Sequence, residues 1–150
     1  MLQVFKFLLI SLLIVISSAA KGESVVGHWV TFDDEDKIKK STVELYLLDD
    51  KLYGKVVEIH DKSSGQDTCV KCKGDKKDQP ILGLEILQGM VLSKNTWKDG
   101  EILDPENGKS YACKIWLEDN NTLKVRGYIG FFYRTQTWRR SDNQPSDLPD

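Results

Sequence analysis

Thr122-Leu123-Lys124-Val125-Arg126-Gly127-Tyr128-Ile129, followed by Gly130 and then Phe131-Phe132-Tyr133-Arg134-Thr135-Gln136-Thr137-Trp138-Arg139, is the stretch that decides the fold. In its first half Leu123, Val125 and Ile129 take one side while Lys124, Arg126 and Tyr128 take the other, the period of two that belongs to an extended strand. The second half repeats the pattern, with Phe132, Arg134, Gln136, Trp138 and Arg140 sharing a side. One glycine between two such runs leaves room only for a tight antiparallel turn.

The same alternation recurs upstream. Val43, Leu45 and Leu47 alternate with Thr42, Glu44 and Tyr46, and the segments Leu52 to His60 and Lys109 to Glu118 are rich in Val, Ile, Tyr and Trp. Asp49-Asp50, Asp104-Pro105-Glu106-Asn107-Gly108 and Asp119-Asn120-Asn121 punctuate them with turn residues. Between Ile81 and Leu103 the first residues suit a helical turn, but the glycines and Thr96-Trp97 favour two more strands. The sum is about eight short strands and no long helix. This predicts an all-β chain folded as a single antiparallel up-and-down barrel, because closure removes exposed sheet edges; an open sandwich is the alternative. An eight-stranded barrel is either filled by side chains or wide enough for one small ligand.

Residues 1–20 read as a secretory signal peptide: Lys6 precedes the apolar run from Phe7 to Ile16, and Ser17-Ser18-Ala19-Ala20 supply small residues for cleavage after Ala20, with Gly22 the alternative site. The run is about half of what spans a bilayer, and no cysteine stands at the junction for a lipid anchor. A soluble exported protein, periplasmic or extracellular, with no transmembrane anchor after cleavage, is therefore expected. Its barrel domain would span 25–140, and 141–150, with two prolines and three aspartates, would be a disordered tail. Loss of Lys6 takes the formal charge from −2 to −3, a balance that argues against nucleic acid as a partner. No phosphate loop or nucleophile elbow is present, and His28 and His60 are the only histidines. A non-enzymatic protein without a cofactor is the expectation; Glu58 and His60 could do acid–base work in principle, but strand geometry merely places them on one face.

Several strings carry a family resemblance. Val26-Gly27-His28-Trp29, Leu52-Tyr53-Gly54-Lys55-Val56-Val57, Pro80-Ile81-Leu82-Gly83-Leu84, Ile102-Leu103-Asp104-Pro105-Glu106-Asn107-Gly108-Lys109-Ser110-Tyr111, Leu123 to Gly130 and Arg134-Thr135-Gln136-Thr137-Trp138 occur in order. Over Gly27 to Arg140 they resemble the bacterial secreted domain-of-unknown-function family 2147. The resemblance implies a lipocalin-like, calycin-type barrel, with no established activity or cofactor. It also implies that Gly27 and Trp29 open the first strand at the closed end of the barrel, where Arg139 or Arg140 stacks on the tryptophan. The last strand departs from the family pattern in having no Gly before Arg134.

Cys69, Cys72 and Cys113 are the disulfide candidates. In an oxidising compartment a bridge is the ordinary way to fix a polar loop as long as Asp61 to Pro80. Cys113 with Cys69 or Cys72 would tie the loop to the barrel wall; Cys69 with Cys72 would leave Cys113 buried. Cys-x-x-Cys is also half of a zinc site, which would need Cys113 and a ligand such as His60, or a redox motif, which lacks its usual strand-helix-strand setting. No metal is the expected outcome.

The mixed strand faces supply the candidate ligand contacts. If they line the lumen, Glu44, Glu58, Arg126, Arg134 and Gln136 form a polar lining beside Trp116, Tyr128 and Trp138, able to orient one small or lipidic molecule; if they face water they are solvated faces. The first functional reading is therefore a non-enzymatic binder of such a molecule. A filled barrel that engages an envelope or extracellular protein is the second, and a thiol or zinc site at the three cysteines the third.

Overall fold

A computed structural model describes residues 24–142; the expected leader, 1–20, and residues 143–150 of the expected tail lie outside the described residues. Eight strands follow one another: β1 (Gly27–Phe32), β2 (Lys39–Leu48), β3 (Lys51–Ile59), β4 (Glu85–Ser93), β5 (Thr96–Asp104), β6 (Lys109–Asp119), β7 (Thr122–Ile129) and β8 (Phe132–Arg140). Each pairs antiparallel with its neighbour in sequence, and β1 pairs with β8 to close the barrel. The ambiguous segment from Ile81 does form two strands, and Phe131 joins Gly130 in the last turn rather than opening β8. No helix among the described residues is long and apolar enough to cross a membrane.

The seam between first and last strands is short, resting on the pairs Trp29↔Arg140 and Val30↔Arg139. Around it the barrel has two unlike ends. At one, the chain enters at β1, and the β2–β3, β4–β5 and β6–β7 turns cluster; here Trp29, Leu45, Leu52, Met90, Ile115 and Leu123 are fully buried and fill the lumen. Gly27 adopts φ 130°, which L side chains rarely adopt, and a Cβ there would stand 3.2 Å from Arg140 Nη1. At the other end the β1–β2, β5–β6 and β7–β8 turns surround an opening.

The long connection from His60 to Leu84 borders that open end with structure of its own. Thr68 and Pro80 form an antiparallel bridge, Cys69 N–H donates to the Gln79 carbonyl at 2.8 Å, and Gly74–Lys76 make one 3-10 turn. Gln66 Nε2 donates to the Pro105 carbonyl at 3.0 Å, tying the connection to the β5–β6 turn. Gly108 in that turn has φ 71°, and a Cβ there would meet the Lys71 carbonyl oxygen at 2.0 Å, so only glycine permits the approach.

Candidate functional site

The open half of the barrel encloses a cavity of about 510 Å³. Its wall is apolar: buried Val56, Ile86, Val125 and Trp138, with half-buried Ile59, Ile81 and Ile102. Polar side chains stand among them: Gln136, whose Oε1 accepts a hydrogen bond from Trp138 Nε1 at 3.1 Å, Tyr111, and the pair Thr31 and Ser41, whose hydroxyl oxygens lie 2.8 Å apart. The rim is charged. Lys40 Nζ lies 2.8 Å from Asp61 Oδ2 and 3.2 Å from Glu106 Oε1, and Arg134 pairs with Asp34. Of the charged residues lining the cavity, Asp33, Asp34, Asp61, Asp104 and Glu106 outnumber Lys40 and Arg134, so the mouth is net negative.

Local charge explains the protonation of this rim. The Lys40 ammonium, helped by Ser63, holds the Asp61 carboxyl far below its ordinary value. Asp61 in turn raises Lys40, assisted by Glu106. The backbone N–H groups of Ile38 and Lys37 lower Asp33, which accepts both hydrogen bonds within its own turn.

The expected ligand contacts divide between two surfaces. Arg134, Gln136 and Trp138 reach the cavity. Glu44, Glu58, Trp116, Arg126 and Tyr128 do not line it. Arg126 stacks outside the barrel, its guanidinium carbon 5.1 Å from the Trp116 ring and 4.2 Å from the Tyr133 ring, and Glu44 pairs with Lys55 at 3.1 Å. The cause is register: Val125 pairs with Gln136 and Leu123 with Trp138, so the mixed row of β8 joins the apolar row of β7, and the mixed row of β7 faces out. Glu58 parts company with Val56 for a second reason. The β2–β3 register shifts between Thr42 and Val43, so a bulge turns Val56 inward, Glu58 outward and Ile59 into the cavity. His60 Nδ1 lies 3.7 Å from Glu58 Oε1, and His60 Nε2 meets Thr42 Oγ1 at 2.8 Å. The aliphatic wall and the Lys40–Asp61 rim were missed because isoleucines and a loop carboxylate carry no signal of their own; only the length of the loop pointed there.

Cys69 and Cys72 form a disulfide, and Cys113 is a buried free thiol. Cys113 Sγ sits 3.5 Å from Met90 Sδ inside the barrel, and burial pushes its thiol up to about 12. The three sulfurs are thus not brought together, and among the described residues no group of three or more His, Cys, Asp or Glu is placed to hold a metal. At the filled end Trp29 is covered by Arg140, not Arg139; Arg139 instead donates from Nη1 to Thr122 Oγ1 at 2.8 Å.

A closed eight-stranded antiparallel barrel, plugged at one end and hollow at the other, defines a lipocalin-like fold. The chain belongs to the bacterial family described as "Uncharacterized protein conserved in bacteria (DUF2147)", whose model matches residues 27–140. Among solved structures it is similar to protein HP1028 of Helicobacter pylori, described as belonging to the lipocalin family, at 20% identity and a TM-score of 0.66, covering 79% of this chain and 84% of that one. No curated protein matches it.

Proposed function

We propose that the protein is an exported carrier that holds one small amphipathic molecule, with its apolar part in the cavity and its polar group at the rim. The cavity is the observation that carries this reading: about 510 Å³ falls within the range of small-molecule sites, and a mainly apolar wall with a small number of placed polar groups is their usual lining. Gln136 offers an amide to the molecule inside, and the negative mouth favours a neutral or amine-bearing head over a carboxylate. Export rests on the leader-like residues 1–20 and agrees with a disulfide, which persists in oxidising compartments.

Native mass spectrometry of the protein secreted by its own host, before and after mild denaturation, tests the reading. A bound mass released on unfolding supports it and identifies the class of molecule. A bare protein that also fails to take up alkyl amines or alcohols would return the weight to a barrel acting through its outer surface.

A further inference from the structure

We propose that the β7–β8 turn is a phospholipid-docking tip that sets the cavity mouth on a bilayer. Phe131 is fully exposed, Phe132 is 78% exposed and Ile129 57% exposed, at the turn made by Gly130 with φ 58°. Three large apolar side chains projecting from one convex turn are an unusual expense in water and mark a contact site.

What lies behind them along the hairpin has the order of a membrane interface. On the outer face the next pair is Tyr128↔Tyr133, with ring centroids 6.2 Å apart. Behind it comes the level of Arg126, paired across with Lys114 on β6. Arg126 stacks on Tyr133, and Lys114 Nζ lies 5.5 Å from the Tyr128 ring. Apolar side chains, then tyrosines, then cations is the sequence met on leaving the hydrocarbon through the carbonyl region to the phosphates, with Phe131 two residues before Tyr133 and Arg126 two residues, roughly 7 Å, behind Tyr128.

Ile129 links this tip to the interior, because it also lines the cavity. An acyl chain leaving the bilayer would therefore meet apolar side chains along β7, from Ile129 to Val125, beside the charged rim. The carboxylates of Asp33 to Asp36 flank β8 on its other side, with Asp34 held by Arg134 and Glu35 by Lys37. The attraction therefore comes from insertion and from phosphate, common to all phospholipids, rather than from a strongly anionic surface. A second copy of the chain is a poor occupant: a stable interface buries about 800 Å² per partner, more than one convex turn can offer.

Co-sedimentation with vesicles of phosphatidylethanolamine containing a minority of phosphatidylglycerol tests the proposal. The protein is expected to sediment with the vesicles. Phe131→Asp combined with Phe132→Asp should lower the partition roughly tenfold or more, and Arg126→Gln with Lys114→Gln should lower it less while removing most of its salt dependence. Phe131→Ser alone serves if the double variant does not fold. Wild-type protein left in the supernatant, equal partition of the tip variants, or a vesicle-free dimer abolished by Phe131→Ser would each overturn it. The readout needs no cavity ligand, so an empty cavity and an undocked tip are separate failures.

Discussion

The guanidinium carbon of Arg140 stands 4.2 Å from the centroid of the Trp29 ring. Trp29 is fully buried and donates its indole N–H to the Val25 carbonyl at 2.8 Å. From above the ring Arg140 donates to three carbonyls, those of Asn120 at 2.6 Å, Ser24 at 2.9 Å and Val26 at 3.3 Å. One side chain thus joins the entry to β1, the β6–β7 turn and the end of β8.

Arg140→Ala is expected to cost about 2–3 kcal/mol, the sum of a cation–π contact and charged hydrogen bonds partly regained by water. Arg140→Lys should recover little, since an ammonium cannot reproduce the fork. Arg139→Ala should cost less, having one bond to lose. Midpoints of urea unfolding would rank the three, and equal losses at 139 and 140 would contradict the stacking role.

Thiol reagents distinguish the cysteine states. Native, unreduced protein should react at no cysteine, because Cys113 is buried and its thiol is pushed up to about 12. Unfolding without reductant should release one thiol, and with reductant three. Cys69→Ser with Cys72→Ser should cost about 2 kcal/mol or less, because the bridge closes a loop of only a few residues; its larger effect should be faster amide exchange in the segment from Asp61 to Pro80.

The charge of the mouth predicts a ranking of ligands. Alkyl chains of equal length bearing an amine or an alcohol should bind more tightly than the carboxylate, by roughly tenfold for the amine at low salt. Asp104→Asn with Glu106→Gln should narrow the gap. Displacement of a fluorescent alkyl probe measures both, and a carboxylate that binds best would refute the assignment of the rim.

Stability should fall on the acid side through the rim and turns. Asp33, Asp61 and Asp119 titrate below their ordinary value of 3.8 when folded, so the folded state binds fewer protons than the unfolded one. Their contribution is complete above about pH 4 to 5 and is lost as pH falls through each lowered value. Lys40 has the opposite sign: raised from 10.5, its contribution is complete below that pH and is lost as pH climbs through the raised value. Asp61→Asn should flatten the acid limb in a series of urea midpoints against pH.

The eight strands were legible because side-chain alternation is a local property that needs no partner. Which face pointed inward was not, because that depends on register across strands. A row containing Arg134 and Gln136 reads as polar, yet its pairing with Val125 and the burial of Trp138 put it inside. The Thr42/Val43 register shift is likewise invisible in sequence, and it separates Val56 from Glu58. The polar stretch around Cys69 has no periodicity, so its bridge to the β5–β6 turn through Gln66 and Gly108 comes only from tertiary contact. Trp29 and Arg140 were readable through the family pattern, although not which of two adjacent arginines did the stacking.

The seam where β1 meets β8 joins residues more than a hundred positions apart. Nothing local can form it, and until Arg140 arrives Trp29 has no cover and the first strand keeps an open edge. The barrel therefore cannot complete itself before β8 is available to pair with β1. Closure couples the two ends of the domain in one step, slow in the way that long-range pairing is slow, and the first strand's edge stays unpaired until that step.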